Sequence, residues 1–201
     1  MLRLHDNLNS GNGYKVRLLL TLLGLPFERI EYDTERGETR TSSFLQKNPN
    51  GRIPVLELED GRFLAESDAI LVYLAEGTPY LPTDRYQRAL VVQWLFFEQY
   101  SHEPNIAIPR CWITHHVLSD ERRVQVRAKR KLGNDALDVM AAHLTTRRYF
   151  VAETYSVADI ALYAYTHVAG EAGFELGHYP AIRSSLDRIA DQPGHIPITK
   201  G

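Results

Sequence analysis

Polar side chains that could activate a bound thiol lie near the start of the chain, in the segment Ser10-Gly11-Asn12-Gly13. The segment falls where a predicted strand ends and a predicted helix begins, and helix N-termini present unpaired N–H groups that stabilise anions. Because only the thiolate is a useful nucleophile, a hydroxyl donor such as Ser10 could activate a bound thiol by stabilising its charged form. The alternative is that Ser10 or Asn12 only caps the helix, since both types are preferred caps.

A second segment that could bind a ligand through its backbone is Gly51-Arg52-Ile53-Pro54. An X-Pro bond has only a small preference for the trans form, so a tight turn can hold it cis. A cis bond at Pro54 would expose the backbone N–H and C=O of Ile53 for pairing with a peptide-like ligand. The alternative is an ordinary trans proline at the start of a strand.

A third segment, Glu66-Ser67-Asp68, places a carboxylate and a hydroxyl at another strand-to-helix junction. Ser67 and the adjacent amides could hold a ligand carboxylate, while Glu66 could hold a ligand ammonium group. The alternative is helix capping, with Glu66 in a solvated turn. In this order and with these separations, the three segments are more specific together than each is alone.

The elements that would position these segments follow the order of a thioredoxin-like domain. Val16, Leu19 and Leu23 recur at the spacing of one buried helix face, and Gly24 is placed to end that helix. Asp60-Gly61 between two strand-like runs predicts a hairpin. Strands are predicted over 2–4, 27–32, 53–58 and 62–64, and helices over 16–23, 41–47 and 67–75.

A linker rich in proline and glycine at 77–83 separates this region from one that is all helical. Helices are predicted over 85–100, 120–144 and 180–190, and another begins at Ser156, where Asp159 completes a capping box. A kink or break is predicted at Pro104, and the longest helix is predicted to bury the stripe Leu132, Ala136, Leu137, Met140 and Leu144. The fold class is therefore an α/β thioredoxin-like N-terminal domain over 1–79 and an all-α C-terminal domain over 85–201.

Composition excludes several classes of function. The 23 Lys and Arg residues nearly balance 25 Asp and Glu residues, so no basic field exists to recruit nucleic acid or a membrane surface. No apolar run approaches the roughly 20 residues that span a bilayer, and the N-terminus lacks the apolar core of a secretory signal. The single cysteine, Cys111, rules out a Cys-x-x-Cys redox pair and fits a reducing compartment. We therefore expect a cytoplasmic protein.

With these motifs in this order, the chain resembles the glutathione transferase superfamily over almost its full length. Ile53-Pro54 looks like the cis-proline that anchors the cysteinyl backbone of glutathione, and Glu66-Ser67 looks like the γ-glutamyl clamp. The segment 10–13 is similar to bacterial transferases of the serine/threonine type, including the Nu-like group, in which a hydroxyl and an Asn side chain contact the glutathione sulfur. The resemblance thus implies Ser10 and Asn12 as catalytic residues, glutathione as co-substrate and no metal.

Two differences from other subclasses of the superfamily restrict the subclasses that this chain resembles. No Tyr precedes the first helix, since Tyr14 falls inside it, and no Cys lies near Ser10. These two facts argue against the tyrosine-activated and the cysteine-type members respectively. The site for the glycine carboxylate is poorly marked: Thr39, Arg40 and Arg52 are candidates, with Arg52 preferred and Thr39 second.

The resemblance implies a pocket for an electrophile between the two domains. Its most plausible lining is Pro104, Ile106, Arg110, Cys111, Trp112 and His115. Arg110 could polarise an anionic or nitro-bearing substrate, or could pair with an acid at the surface. The pair His115-His116 has no Cys or carboxylate at ligand spacing, so structural or solvent-facing histidines are favoured over a metal site.

The function implied is conjugation of the glutathione thiolate to small electrophiles, a detoxification reaction, by a homodimer. One alternative is the disulfide reductase activity of the Nu-like relatives, acting on glutathione disulfide or mixed disulfides. Another is a non-enzymatic module that binds glutathione or a partner through the same fold.

Overall fold

The chain folds into two compact units in this computed structural model, which describes residues 1–115 and 118–201. The first unit comprises Met1–Glu76 together with Pro193–Gly201, and the second comprises Gly77–Gln192. The division falls at the start of the predicted linker. The final segment, however, belongs with the first unit, whereas the sequence prediction assigns it to the helical domain.

A mixed sheet with the strand order β2-β1-β3-β4 forms the centre of the first unit. Strand β1 (Leu2–Asp6) pairs in parallel with β2 (Phe27–Glu31) and antiparallel with β3 (Val55–Glu57). Strand β4 (Phe63–Ala65) pairs antiparallel with β3, which confirms the predicted hairpin, although β3 is shorter than predicted and β4 begins one residue later. This is the predicted thioredoxin-like arrangement.

Three α-helices complete the first unit: α1 (Gly11–Leu22), α2 (Ser42–Leu45) and α3 (Ser67–Ala75). Helix α1 buries Val16, Leu19 and Leu20. It ends at Gly24, whose φ of 65° is the left-handed conformation predicted for it. There the N–H groups of Gly24 and Leu25 donate to the carbonyls of Thr21 and Leu20, the double hydrogen bond of a Schellman motif.

The described part of the second unit is built from helices. They are α4 (Arg85–Phe97), α5 (Glu103–His115), α6 (Asp120–Leu144), α7 (Val157–Thr166) and α8 (Pro180–Ala190). A π-helical turn, Glu98–His102, joins α4 to α5. The helical fold class is confirmed. Within the described residues, none of the helices combines the length and apolar character needed to cross a membrane.

Helix α7 is the buried centre of the second unit, and its start carries the predicted capping box. The carboxylate of Asp159 accepts from the N–H and the hydroxyl of Ser156, both at 2.9 Å, and from the N–H of Phe150 at 3.0 Å. Because Ser156 and Phe150 are only 1% and 4% exposed, these donors have little access to water. The capping box therefore satisfies polar groups that would otherwise be costly.

Of two local predictions in the second unit, one is partly right and one is wrong. Pro104 does not end the run of helical residues, but it follows directly after the π-helical turn Glu98–His102, where regular α-helical hydrogen bonding is interrupted. Leu132 is 53% exposed, although the rest of its predicted stripe is buried. The ring of Phe174 packs on Gly133 instead, where a Cβ atom would lie 2.6 Å from the ring, so the buried face of α6 passes through Gly133.

Two side chains of α1 hold the C-terminal segment Pro193–Gly201 on the first unit. The Tyr14 hydroxyl donates to the carbonyl of Ile196 at 2.7 Å, and Arg17 Nη2 donates to the carbonyl of Ile198 at 2.8 Å. Ile196 is only 6% exposed. The segment is thus part of the packing that supports α1.

Truncation after Gln192 should destabilise the protein by roughly 3–5 kcal/mol, since it removes these two hydrogen bonds and the burial of Ile196. Urea unfolding of the full chain and of the truncated chain measures the difference. Removing only Lys200 and Gly201 is the matched control, because it leaves both bonds in place. Equal unfolding midpoints for all three proteins would contradict the supporting role of the segment.

Candidate functional site

Ser10 is the N-cap of α1, with extended backbone angles of φ −74° and ψ 122°. Its Oγ accepts from the N–H of Gly13 at 3.1 Å. Ser10 therefore caps the helix, as the alternative predicts. The cap does not compete with the predicted chemistry, because a hydroxyl that accepts a hydrogen bond still has its own proton to donate.

A buried ion pair lies directly beneath the start of α1. The carboxylate of Asp6, at the end of β1, accepts from Arg17 Nη1, and both side chains are fully buried. Arg17 Nη2 also donates to the carbonyl of Leu8 at 2.8 Å, in the loop that leads to Ser10. Burial raises the pKa of Asp6 and lowers that of Arg17, while the charge of each partner opposes the shift of the other.

Gly13 is required by this ion pair. A Cβ atom at Gly13 would lie 1.6 Å from Asp6 Oδ1, which no side-chain adjustment of a fully buried carboxylate could relieve. The Asn12-Gly13 pair thus combines a polar side chain at the helix start with a residue that lets the helix contact the carboxylate.

A second buried polar cluster connects α1 to α3. The ammonium of Lys15 is fully buried and donates to Asp68 Oδ1 at 3.1 Å and to Ser67 Oγ at 3.3 Å. Ser67 Oγ in turn donates to Asn12 Oδ1 at 3.4 Å. The predicted thiol-binding segment and the predicted clamp therefore lie one hydrogen bond apart.

Glu66 has an unusual backbone conformation, with φ 67° and ψ 113°. A non-glycine residue at positive φ is strained and persists only where the surroundings require it, often at a functional site. Its side chain is exposed and makes no capping hydrogen bond, and Ser67 is the first residue of α3 rather than its cap. Neither side chain therefore caps α3, although the exposed position of Glu66 at a bend is the one that the capping alternative predicts.

The peptide bond between Ile53 and Pro54 is cis, so the trans alternative is wrong. Asn48 Nδ2 donates to the carbonyl of Arg52 at 2.8 Å and anchors the turn that precedes it. Pro54 is buried and Ile53 is half-buried, directly before the first residue of β3. The backbone of Ile53 thus lies at the N-terminal end of β3, directly before the strand, as the sequence predicts.

The three candidates for a glycine carboxylate differ in their accessibility. Thr39 is only 4% exposed. Arg40 Nη1 donates to the carbonyl of Asn50 at 2.9 Å, and its guanidinium packs against Gly51. Arg52 is exposed, so it remains the preferred candidate.

All the residues predicted to line an electrophile pocket lie on α5 of the second unit. Ile106 is fully buried, which leaves no accessible surface for a ligand and corrects that prediction. Arg110 Nε donates to Glu171 Oε2 at 2.6 Å, so the surface-pairing alternative describes it. Cys111 and His115 are exposed, and Trp112 is half-buried with the Arg122 guanidinium 5.7 Å from its ring centroid.

His116 lies outside the described residues. Within the ranges 1–115 and 118–201, no group of three or more His, Cys, Asp or Glu side chains is placed to hold a metal ion.

Sequence reasoning missed the acidic and basic residues that support the site, namely Asp6, Lys15, Arg17 and Asp68. A signal was present, since Lys15 and Arg17 interrupt an otherwise apolar run in a short helix. Charged residues on a buried helix require partners. The sequence alone does not say which acids supply them.

Comparison with known families finds matches over most of the chain. The N-terminal domain of glutathione S-transferase matches residues 10–76, and its C-terminal domain matches residues 95–193. Among solved structures, the glutathione S-transferase from Pseudomonas fluorescens Pf-5 is similar, with a TM-score of 0.97 and 50% identity over 99% of each chain.

Two further relatives are similar in sequence over most of the chain, and their names describe different activities. The glutathione S-transferase-like protein LUC7 of a Fusarium species is 33% identical over 178 residues, which cover 83% of this chain and 78% of the relative. The disulfide-bond oxidoreductase YfcG of Escherichia coli K12 is 30% identical over 197 residues, which cover 90% of this chain and 87% of the relative.

Glu66→Gly should stabilise the protein by about 1 kcal/mol, because glycine relieves a strain of about 1–3 kcal/mol but carries an entropic cost of about 0.5–1 kcal/mol. Glu66→Ala is the matched control, since it removes the same carboxylate but keeps the Cβ atom. Urea unfolding of the three proteins measures the effect. An equal or lower stability of the glycine variant compared with the alanine variant would show that Glu66 is not strained.

Proposed function

Since this chain belongs to the glutathione S-transferase family, we propose that it is a transferase that conjugates the thiolate of glutathione to small electrophiles. One observation carries the proposal. The contact of 3.4 Å between Ser67 Oγ and Asn12 Oδ1 brings the candidate residues for the two halves of glutathione, its thiol and its γ-glutamyl group, into one cluster.

The proposed binding mode assigns one contact to each part of the tripeptide. The backbone of Ile53, before cis-Pro54, pairs with the cysteinyl backbone, while the backbone amides at the start of α3, including that of Ser67, bind the γ-glutamyl carboxylate. The exposed carboxylate of Glu66 pairs with the ammonium group. Arg52, with Thr39 as second candidate, binds the glycine carboxylate. These residues contribute positioning more than chemistry.

Ser10 and Asn12 are the proposed catalytic residues. The Ser10 hydroxyl donates to the thiolate, Asn12 assists, and the N-terminus of α1 adds its partial positive charge. Together they lower the pKa of the bound thiol, so more nucleophile is present at neutral pH. The thiolate forms a sulfur–carbon bond with the electrophile, and the leaving group departs with its electron pair. Cys111, Trp112 and His115 remain candidates for contact with the electrophile, and the homodimer remains a prediction.

Disulfide reduction is the second candidate function, and the similarity to a disulfide-bond oxidoreductase favours it. The bound thiolate would attack a disulfide sulfur, form a mixed disulfide and release a thiolate. A second glutathione thiolate would then attack the glutathione sulfur of the mixed disulfide, break its S–S bond, yield glutathione disulfide and release the second substrate thiolate. No cysteine lies near Ser10 in the sequence, so the reaction as proposed uses glutathione thiols alone.

Ser10→Ala should raise the pKa of the bound thiol and lower kcat about ten- to hundredfold, with a smaller loss of affinity. The reason is that a hydrogen bond to a charged group contributes about 1.5–3 kcal/mol. Thiolate absorbance of the glutathione complex, titrated against pH, measures the pKa. Ser10→Thr is the control because it keeps both the hydroxyl and the cap. Superimposable titration curves for the wild type and the alanine variant would remove Ser10 from the mechanism.

Steady-state assays distinguish the two reactions. We expect a larger kcat/KM with a chlorodinitrobenzene-type electrophile than with a hydroxyethyl-disulfide-type substrate at equal glutathione concentration. A preference of more than about tenfold for the disulfide, or about 1.4 kcal/mol in transition-state binding, would establish the reductase instead. Negligible rates with both substrates, despite tight binding of glutathione, would indicate a non-enzymatic module.

A further inference from the structure

The buried ammonium of Lys15 belongs to a short chain of hydrogen bonds that ends at a proposed catalytic residue. An ammonium group can only donate, so Ser67 Oγ accepts from Lys15 at 3.3 Å. The Ser67 hydroxyl keeps its own proton and donates it to Asn12 Oδ1 at 3.4 Å, and acceptance from a cation strengthens this onward donation. In this arrangement the atom of Asn12 that faces Ser67 is its acceptor, Oδ1.

The orientation of Asn12 matters because its two side-chain atoms have opposite effects on a thiolate. With Oδ1 held by Ser67, the Nδ2 group is left to face other partners, and its N–H donors stabilise an anionic sulfur. If the amide turned over, Oδ1 would face the sulfur and its partial negative charge would disfavour the thiolate. Asn12 thus assists the reaction in only one of its two orientations.

An ion pair with Asp68 holds the Lys15 side chain in place. Its side chain has no accessible surface, and Asp68 Oδ1 accepts from it at 3.1 Å while Asp68 itself is 12% exposed. An ion pair with so little access to water is weakly screened. Loss of one partner would leave the other as an uncompensated buried charge.

We propose that Lys15 is a positioning residue for thiol activation: through Ser67 it fixes the Asn12 amide with its N–H groups toward the glutathione sulfur. This inference rests on the proposed binding of glutathione and on the role given to Asn12 there. It also explains why a fully buried charge lies beside a ligand-binding surface, since it links the clamp for one end of the tripeptide to the activation of the thiol.

The test compares Lys15→Met with Lys15→Gln. Methionine fills similar space but donates no hydrogen bond, whereas the glutamine amide can donate to Ser67 without a charge. Lys47→Met is the matched control, since Lys47 belongs to the same unit and packs against the Phe63 ring, 4.7 Å from its centroid. The readouts are the pKa of the bound glutathione thiol from thiolate absorbance, the Kd from calorimetry, and the melting temperature.

We expect Lys15→Met to raise the thiol pKa by about one unit, which reduces the thiolate fraction about tenfold at a pH below both values. Lys15→Gln should recover part of this shift, and Lys47→Met should leave the thiol pKa unchanged. If loss of the charge prevents folding, the same comparison is made with Asp68→Asn added to both variants, which removes the negative charge that Lys15 faces.

Results of two kinds would overturn the inference: an unchanged thiol pKa in the variants, or no binding of glutathione by the wild type. If the wild type binds glutathione and Lys15→Met has the same thiol pKa, Lys15 has no role in activation although the proposed function stands. The same conclusion follows if Lys15→Met and Lys15→Gln lower the melting temperature but share the thiol pKa of the wild type. If the wild type does not bind glutathione, the proposed function fails and the inference fails with it.

Discussion

The buried ion pair between Asp6 and Arg17 is the contact on which the candidate site depends. It joins the end of β1 to α1, and the same guanidinium reaches the carbonyls of Leu8 and Ile198. One side chain therefore fixes the loop before Ser10 and the C-terminal segment at the same time. Because both partners are fully buried, loss of either would leave an uncompensated charge, which is costly by several kcal/mol.

Helix α1 carries a second buried cation with a different task. Arg17 connects α1 to the strand and the loop beneath it, whereas Lys15 connects it to Ser67 and Asp68 at the start of α3. The two junctions that would bind the thiol and the γ-glutamyl group of glutathione are thus attached to one helix. Buried charges have few alternative arrangements, so these contacts restrict how the two junctions can move.

Much of the fold could be predicted because its signals are local. Periodic apolar residues and caps gave the bounds 67–75, 120–144 and 180–190 of three helices, which the structure reproduces. Contacts between distant residues could not be predicted in this way. Three features depend on tertiary packing. They are the burial of Ile196 in the first unit, the partners of Lys15, and the packing of Phe174 on Gly133 while Leu132 stays exposed. The candidate residues of the site were accessible to motif reasoning, but their buried supports were not.

The π-helical turn at Glu98–His102 has a consequence for comparing this chain with its relatives. A turn of this kind contains one residue more than an α-helical turn. A relative lacking one residue here would form a regular α-helical turn, and the residues of α5 would keep their orientation. The same deletion inside a regular α-helix would instead rotate every following residue by about 100° around the helix axis. In an alignment, a single gap before α5 therefore belongs within Glu98–His102, where it leaves Ile106 in its buried position.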